Sequence, residues 1–258
     1  MLREATVASA ILLALLHEPA HPKSPTIVDL ELVLAVDVSF SMDPEEQALQ
    51  RQGYVDAFRS PELLAAIRSG PLGRIAVTYV EWGGRPVQIV PWTLIDGPAS
   101  AEAFAEELSS IPLRRISFTS ITEALLFGAR LFGANEFKGV RRVIDVSGDG
   151  PNNSGAPVPL ARNVLVADGI VIDGLPIMLE ERAFPNLDAY YESCVIGGSG
   201  AFAIKVTSAA DFSRAIRQKL VLEITGDKLT GIEGEVVPVS DKTYNCLIGE
   251  ELHESGGR

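Results

Sequence analysis

Three short segments carry oxygen-bearing side chains in spacings that could hold a hard cation. They are Asp37-Val38-Ser39-Phe40-Ser41, Ser117-Phe118-Thr119-Ser120 and Ser147-Gly148-Asp149-Gly150. Alternate residues in a chain turning off a strand can share a direction. Asp37, Ser39 and Ser41 are therefore expected to converge, while Val38 and Phe40 pack the other way. With Thr119 and Asp149 they supply two carboxylates and three neutral hydroxyls, a set that suits Mg²⁺, or Mn²⁺ or Ca²⁺, with water completing the shell. No His or Cys lies in the three segments, which disfavours zinc. An ion held so lightly keeps a position for an outside oxygen, ideally a carboxylate. The same residue types also serve a plainer purpose, because Asp and Ser cap strand-to-helix turns by bonding nearby backbone amides.

The elements around these segments alternate strand and helix from near residue 28 to near residue 225, as a parallel α/β sheet requires. Leu30 to Val36 is a near-continuous apolar run, as in a central strand buried on both faces. Asp43, Pro44 and Glu46 then give an N-cap, a proline at the first helical position and a glutamate at the third. Glu45 and Glu46 fit as charges of that helix start better than as ligands. Ser60-Pro61 restarts or kinks the helix. Arg74 to Glu81 and Val87 to Ile95 read as strands joined through Gly83-Gly84, an antiparallel hairpin at one side of the sheet. Ile121, Leu125, Gly128 and Phe132 recur at helical spacing, with a small residue facing the sheet. Strands follow at Val140 to Val146, Ile170 to Ile177 and Phe202 to Val206, with helices at Ala101 to Leu108, at Leu160 to Ala167 and through Phe212, Ile216 and Leu220. In such a sheet, ligands bind at the carboxyl ends of the strands, near the point where strand order reverses. The three oxygen-rich segments fall at that edge.

Taken in order, Asp37-x-Ser39-x-Ser41, Thr119 and Asp149 resemble the metal-ion-dependent adhesion site of von Willebrand factor A (vWA) domains. Thr119-Ser-Ile-Thr-Glu-Ala-Leu125 is similar to the family's threonine-bearing helix start, and Ser147-Gly-Asp-Gly150 to its strand-end Asp-Gly. Within the family the chain looks closest to a bacterial branch of unknown function, through Ile144-Asp-Val-Ser-Gly-Asp-Gly-Pro-Asn-Asn153 and Val195-Ile-Gly-Gly198. The resemblance implies a Rossmann-like, doubly wound, mostly parallel sheet with one antiparallel edge strand and helices on both faces. It implies that Ser39 and Ser41 contact the metal directly, that Asp37, Thr119 and Asp149 do so directly or through water, and that an acidic side chain of a protein partner completes the shell. Asp145 departs from the family by placing a carboxylate inside a strand, and Asp173 does the same in the next one. Either they form a polar network supporting the site from below or they are partnered structural acids.

The rest of the chain bounds the function. Its 258 residues suit one large α/β domain, and 47% apolar content argues against disorder. A net charge of −12 argues against nucleic acid as a partner. Arg3 precedes an apolar run from Ala5 to Leu16, too short to cross a bilayer as a helix. It reads as a signal peptide, with a frayed N-terminal helix as the other reading. The expected organisation is a targeting segment over 1–25, a vWA-like domain over 26–226 and an appendage over 227–258. Within the appendage one strand is expected between Gly231 and Ser240, and the end beyond Cys246 reads as polar and loose. After cleavage the protein would be periplasmic or secreted, and not an integral membrane protein. Cys194 and Cys246 either bridge, which would stabilise by about 4 kcal/mol in the chain-entropy model, or remain buried thiols. All three histidines lie in the terminal segments, so no core histidine is available for catalysis. The expected function is therefore a non-enzymatic, divalent-metal-dependent binding module. The alternatives are a phosphatase-type metal-dependent hydrolase, whose second acid is replaced here by Ser39, and a vestigial domain that binds partners without metal.

Overall fold

A computed structural model describes residues 24–179, 184–226, 236–238 and 244–256. The expected targeting segment, residues 1–25, lies outside the described residues apart from Ser24 and Pro25.

Strand β1 (Thr26–Asp37) is buried from Val28 to its end. Leu30, Leu32, Leu34 and Val36 enter one core, and Val33 and Ala35 the other. The unbroken apolar run thus has a cause in the architecture, since both faces of this strand are covered. Its neighbours are β2 (Ile75–Trp82) and β4 (Phe137–Gly148), both parallel to it. The full order is β3-β2-β1-β4-β5-β6-β7, where β3 is Val87–Ile95, β5 Ile170–Pro176, β6 Phe202–Ile204 and β7 Val236–Pro238. β3 is the expected antiparallel edge strand, and β7 adds a second at the opposite edge. That strand lies within the stretch of the tail where one was expected.

Helices cover both faces. On one side lie α1 (Pro44–Arg59), α2 (Pro61–Ser69), α3 (Pro98–Ser110) and α7 (Phe212–Thr225), meeting the sheet through Tyr54, Phe58, Leu63, Phe104 and Ile216. On the other lie α4 (Ile121–Phe132), α5 (Val158–Ala167) and the short α6 (Leu187–Tyr190), which widens into a π turn over Tyr191–Val195. Gly128 is needed where α4 crosses the sheet, because a Cβ there would come within 3.2 Å of Val33 and 3.3 Å of Ile144. Asp43 caps α1 by accepting from Glu45 and Glu46, and Glu46 returns a bond to the Asp43 N–H at 2.8 Å. This capping box starts a helix within seven residues of the strand end, which fixes how sharply the chain turns at Asp37.

The expectation of a loose end beyond Cys246 is corrected. Ile248–Gly256 forms a helix, α8, held to the domain by the Cys194–Cys246 disulfide. Its apolar signal is only Ile248 and Leu252, one turn apart, too short a stripe to stand out against the charged residues around it.

Candidate functional site

Strand order reverses between β1 and β4, and the crevice beyond their carboxyl ends receives Asp37 from one and Asp149 from the other. The backbone N–H of Ser39 donates to Asp37 Oδ1 at 2.7 Å, so the loop folds back over its own strand end. The hydroxyls of Ser39 and Ser41 lie 2.9 Å apart, and Ser41 Oγ donates to Asp149 Oδ1 at 2.7 Å. One continuous polar chain thus runs from Asp37 to Asp149. The loop before α4 joins β1 through the Ile116 N–H, which donates to the Val38 carbonyl at 2.9 Å. Thr119 is fixed from the far side, its N–H donating to Asn153 Oδ1 at 2.8 Å while its carbonyl accepts the Asn153 N–H at 2.9 Å. Ser41, Thr119 and Asp149 share the wall of one cavity, and Asp37 and Ser39 are buried.

The electrostatics of this cluster are unfavourable as it stands. Asp37 is fully buried, and burial pushes its carboxyl well up, with the charge of Asp149 adding to the push. Burial also raises Asp149 to about 6, opposed by the Ser41 hydrogen bond. Asp37 Oδ2 has no hydrogen-bond partner and points at Gly148, where a Cβ would lie 2.7 Å from it. The hydroxyl of Tyr191 approaches the same point and also lacks a partner. Among the described residues, no Lys or Arg pairs with Asp37 or Asp149. A buried carboxylate with an orphaned oxygen, a half-buried carboxylate beside it and two hydroxyls in line are the donor set a hard cation would use. The residues therefore fit a divalent metal. The donor set is lean all the same, since the described residues contain no group of three or more His, Cys, Asp or Glu able to hold an ion. Hydroxyls and water would have to supply the remainder.

One expectation about the loop is corrected. Val38 is buried, but Phe40 is 59% exposed and does not pack beneath the loop. By then the chain has left the sheet edge, and the ring is covered instead by Arg115, whose guanidinium lies 5.2 Å from the ring centre and donates to the Phe40 carbonyl at 2.6 Å. Sequence reasoning also passed over Tyr191, Asn152 and Asn153 as parts of the site. The paired asparagines after Asp149-Gly150-Pro151 were the available signal, because Asn side chains bond backbone amides in turns. Here Asn153 holds Thr119, and Asn152 accepts the Thr122 N–H at 3.3 Å.

Asp145 and Asp173 have partners on α7. Lys219 Nζ lies 2.6 Å from Asp145 Oδ1 and also contacts Glu223, while Asp173 Oδ1 accepts the Phe202 N–H at 2.9 Å. All four side chains are buried. Burial raises Asp145 and Glu223 and lifts Asp173 to about 6, each opposed by Lys219. This is a structural charge cluster, one cation among three acids, lying beneath the strand ends.

Residues 27–228 match a family described as "Protein of unknown function (DUF1194)". No curated protein matches the chain significantly. Among solved structures it is similar to proximal thread matrix protein 1 of the mussel byssus, at 17% identity and a TM-score of 0.57, covering 78% of this chain and 49% of that one. Another structure of that protein, TM-score 0.52, has a zinc-occupied MIDAS motif. The chain also resembles the pilus adhesin SpaC of Lactobacillus rhamnosus GG, at 11% identity and TM-score 0.59, covering 79% of this chain and 32% of that one. A von Willebrand factor type A protein from Catenulispora acidiphila matches at 15% identity and TM-score 0.53, with 76% and 43% coverage. The chain spans about a third to a half of the length of these proteins, and at such identities the likeness establishes the vWA fold.

Proposed function

The chain belongs to the DUF1194 family and has the vWA fold, and on that premise we propose that it is a non-enzymatic binding module that takes protein ligands through a divalent metal. The observation that carries this reading is the buried carboxylate of Asp37 and the half-buried one of Asp149, linked through Ser39 and Ser41 with no Lys or Arg paired to either among the described residues. Ser39 and Ser41 would hold the ion directly, and Asp37, Thr119 and Asp149 directly or through water. Bound there, the ion would supply a Lewis-acidic position for a partner's carboxylate. The serine and threonine hydroxyls are neutral donors, so a partner's carboxylate would be a stronger ligand than any of them or than the water it displaces. Mg²⁺, Mn²⁺ and Ca²⁺ suit the oxygen donors, and the zinc in the MIDAS motif of the mussel protein makes Zn²⁺ a fourth ion to titrate. The adhesin and matrix proteins of similar fold support a binding role. In this reading residues 1–25 direct export to the periplasm or cell exterior, 26–226 form the binding domain and 227–258 an appendage to it.

Calorimetric titration of Mg²⁺ and Mn²⁺ into chelator-treated protein, with Asp37→Ala and Asp149→Ala beside it, tests the reading. The expected result is one site in the wild type, lost in both variants while their circular dichroism stays native. No binding by the wild type would overturn the metal reading in favour of a vestigial module that binds partners without an ion.

A further inference from the structure

The crevice beside the candidate metal ligands is larger than an ion and one carboxylate need. It encloses about 520 Å³, within the range of cavities that take whole small molecules. Its lining is mixed in chemistry: Ser41, Thr119 and Asp149 contribute polar groups from the strand-end loops, Ile177 and Leu179 contribute apolar ones from just beyond β5, and Leu252 and His253 of α8 form a second wall. Leu252 is 51% exposed, an apolar side chain on a wall that no other described residue covers fully.

That second wall is fixed in place. The Cys194–Cys246 disulfide ties the segment before α8 to the π turn that carries Tyr191. Gly249 packs so closely on the Asn152 carbonyl that any Cβ would collide with it. Asn152 Nδ2 donates to Glu250 Oε1 at 2.7 Å. His253 meets the ring of Phe118 edge-on at 5.8 Å. Phe118 itself holds a left-handed backbone, φ +66°, unusual for a bulky residue. Its flanks are pinned, because the Gly84 N–H donates to the Ser117 carbonyl at 2.8 Å and Asn153 holds Thr119. Strain kept by surrounding bonds is found where a side chain must stand in a set place.

We propose that this crevice selects ligands whose acidic group is carried on a bulky apolar body, with the acid directed to the strand-end site and the body lodged between Leu179 and Leu252. The inference rests on the metal reading of the site, since Asp149 and Glu46 would otherwise repel an acid. It assigns the appendage a part in recognition: α8 is a specificity wall through Leu252, and Leu179, just beyond β5, is the discriminating residue opposite it. A ligand with an acid but no apolar body would use the ion alone. One with both would also remove apolar surface from water in a pocket already shaped for it.

The test uses the full disulfide-bonded chain loaded with Mg²⁺ and two probes, acetate and 3-phenylpropanoate, titrated by calorimetry or by chemical-shift change. The expected result is a preference of tenfold or more for 3-phenylpropanoate, a size of effect in line with what small changes of apolar fit produce. In Leu252→Asn, and separately in Leu179→Asn, that ratio is expected to fall close to one. The two variants alter different elements, so misfolding of one leaves the other informative. A ratio near one in Mg²⁺-loaded wild type would overturn this inference and leave the metal reading standing. Absence of Mg²⁺ binding in a titration without carboxylates would overturn both.

Discussion

Two groups of acids lie at and around β4, one buried against α7 and one at the strand ends, and they are satisfied in different ways. Asp145, Asp173 and Glu223 surround Lys219, which α7 inserts among them, so the lower group contains its own cation. Asp37 and Asp149, at the strand ends, have only hydroxyls and backbone N–H groups, and Asp37 Oδ2 has nothing. Buried carboxylates are costly unless paired. The lower group meets that cost within the chain and gains a tie between sheet and helix. The upper group has no such cation among the described residues, and that difference is what the proposed metal site rests on.

The contrast breaks most visibly if the cation is removed from the lower group. Lys219→Met leaves three buried carboxyls without a cation and is expected to destabilise by about 3–5 kcal/mol at pH 7 in chemical denaturation. The loss should shrink toward pH 4, where the carboxyls take up protons. A loss below about 1 kcal/mol would mean that the acids are already neutral and that Lys219 is not what satisfies them.

A smaller effect is expected from pH alone. Asp173 is raised to about 6 in the fold, and Asp145 and Glu223 are shifted in the same direction. The folded state therefore binds more protons than the unfolded state between about pH 4 and 6. Its stability should fall as pH rises through that window. Asp173→Asn keeps an acceptor for the Phe202 N–H and removes one titrating group. It should flatten the slope by an amount on the order of 2 kcal/mol across the window. An unchanged slope would assign the pH dependence to other acids.

Much of this was legible in the chain, and the failures share a cause. The sheet's central strand, the helix cap at Asp43, the small residue at Gly128 and the order of the oxygen-bearing segments are all local patterns, readable within a dozen residues. Lys219 and Glu223 were also readable in principle. Together with Phe212, Ala215, Ile216 and Leu220 they occupy the buried face of α7, at positions where the helical stripe calls for apolar residues. Two charges in that stripe, set against two acids inside strands, pointed to a buried pairing. The Phe40 position and helix α8 were not legible, because each depends on contacts distant in sequence. Arg115 covers the first, and a disulfide spanning 52 residues with the Asn152 carbonyl seats the second. The ligand-type argument against zinc rests on softness alone, and a fold relative with zinc in its MIDAS motif shows that such an argument ranks ions without excluding one.

The sharpest test of the comparison has the smallest expected size and the opposite sign. If Asp37 and Asp149 are held together for an outside cation, then without that cation they work against the fold. Asp37→Asn keeps an oxygen to accept the Ser39 N–H, removes a charge from a fully buried position and ends its repulsion with Asp149. In the presence of chelator the variant should be more stable than the wild type, by about 1 kcal/mol. In saturating Mg²⁺ the order should reverse, because the wild type then gains the binding free energy and the variant does not. Denaturation of both proteins with chelator and with Mg²⁺ checks this in four curves. If Asp37→Asn were less stable under both conditions, Asp37 would serve the fold as Lys219 does, and the strand-end cluster would be a set of caps. A reversal of sign between the two conditions is what a capping cluster cannot produce, since a cap stabilises the same turn whatever ions are present.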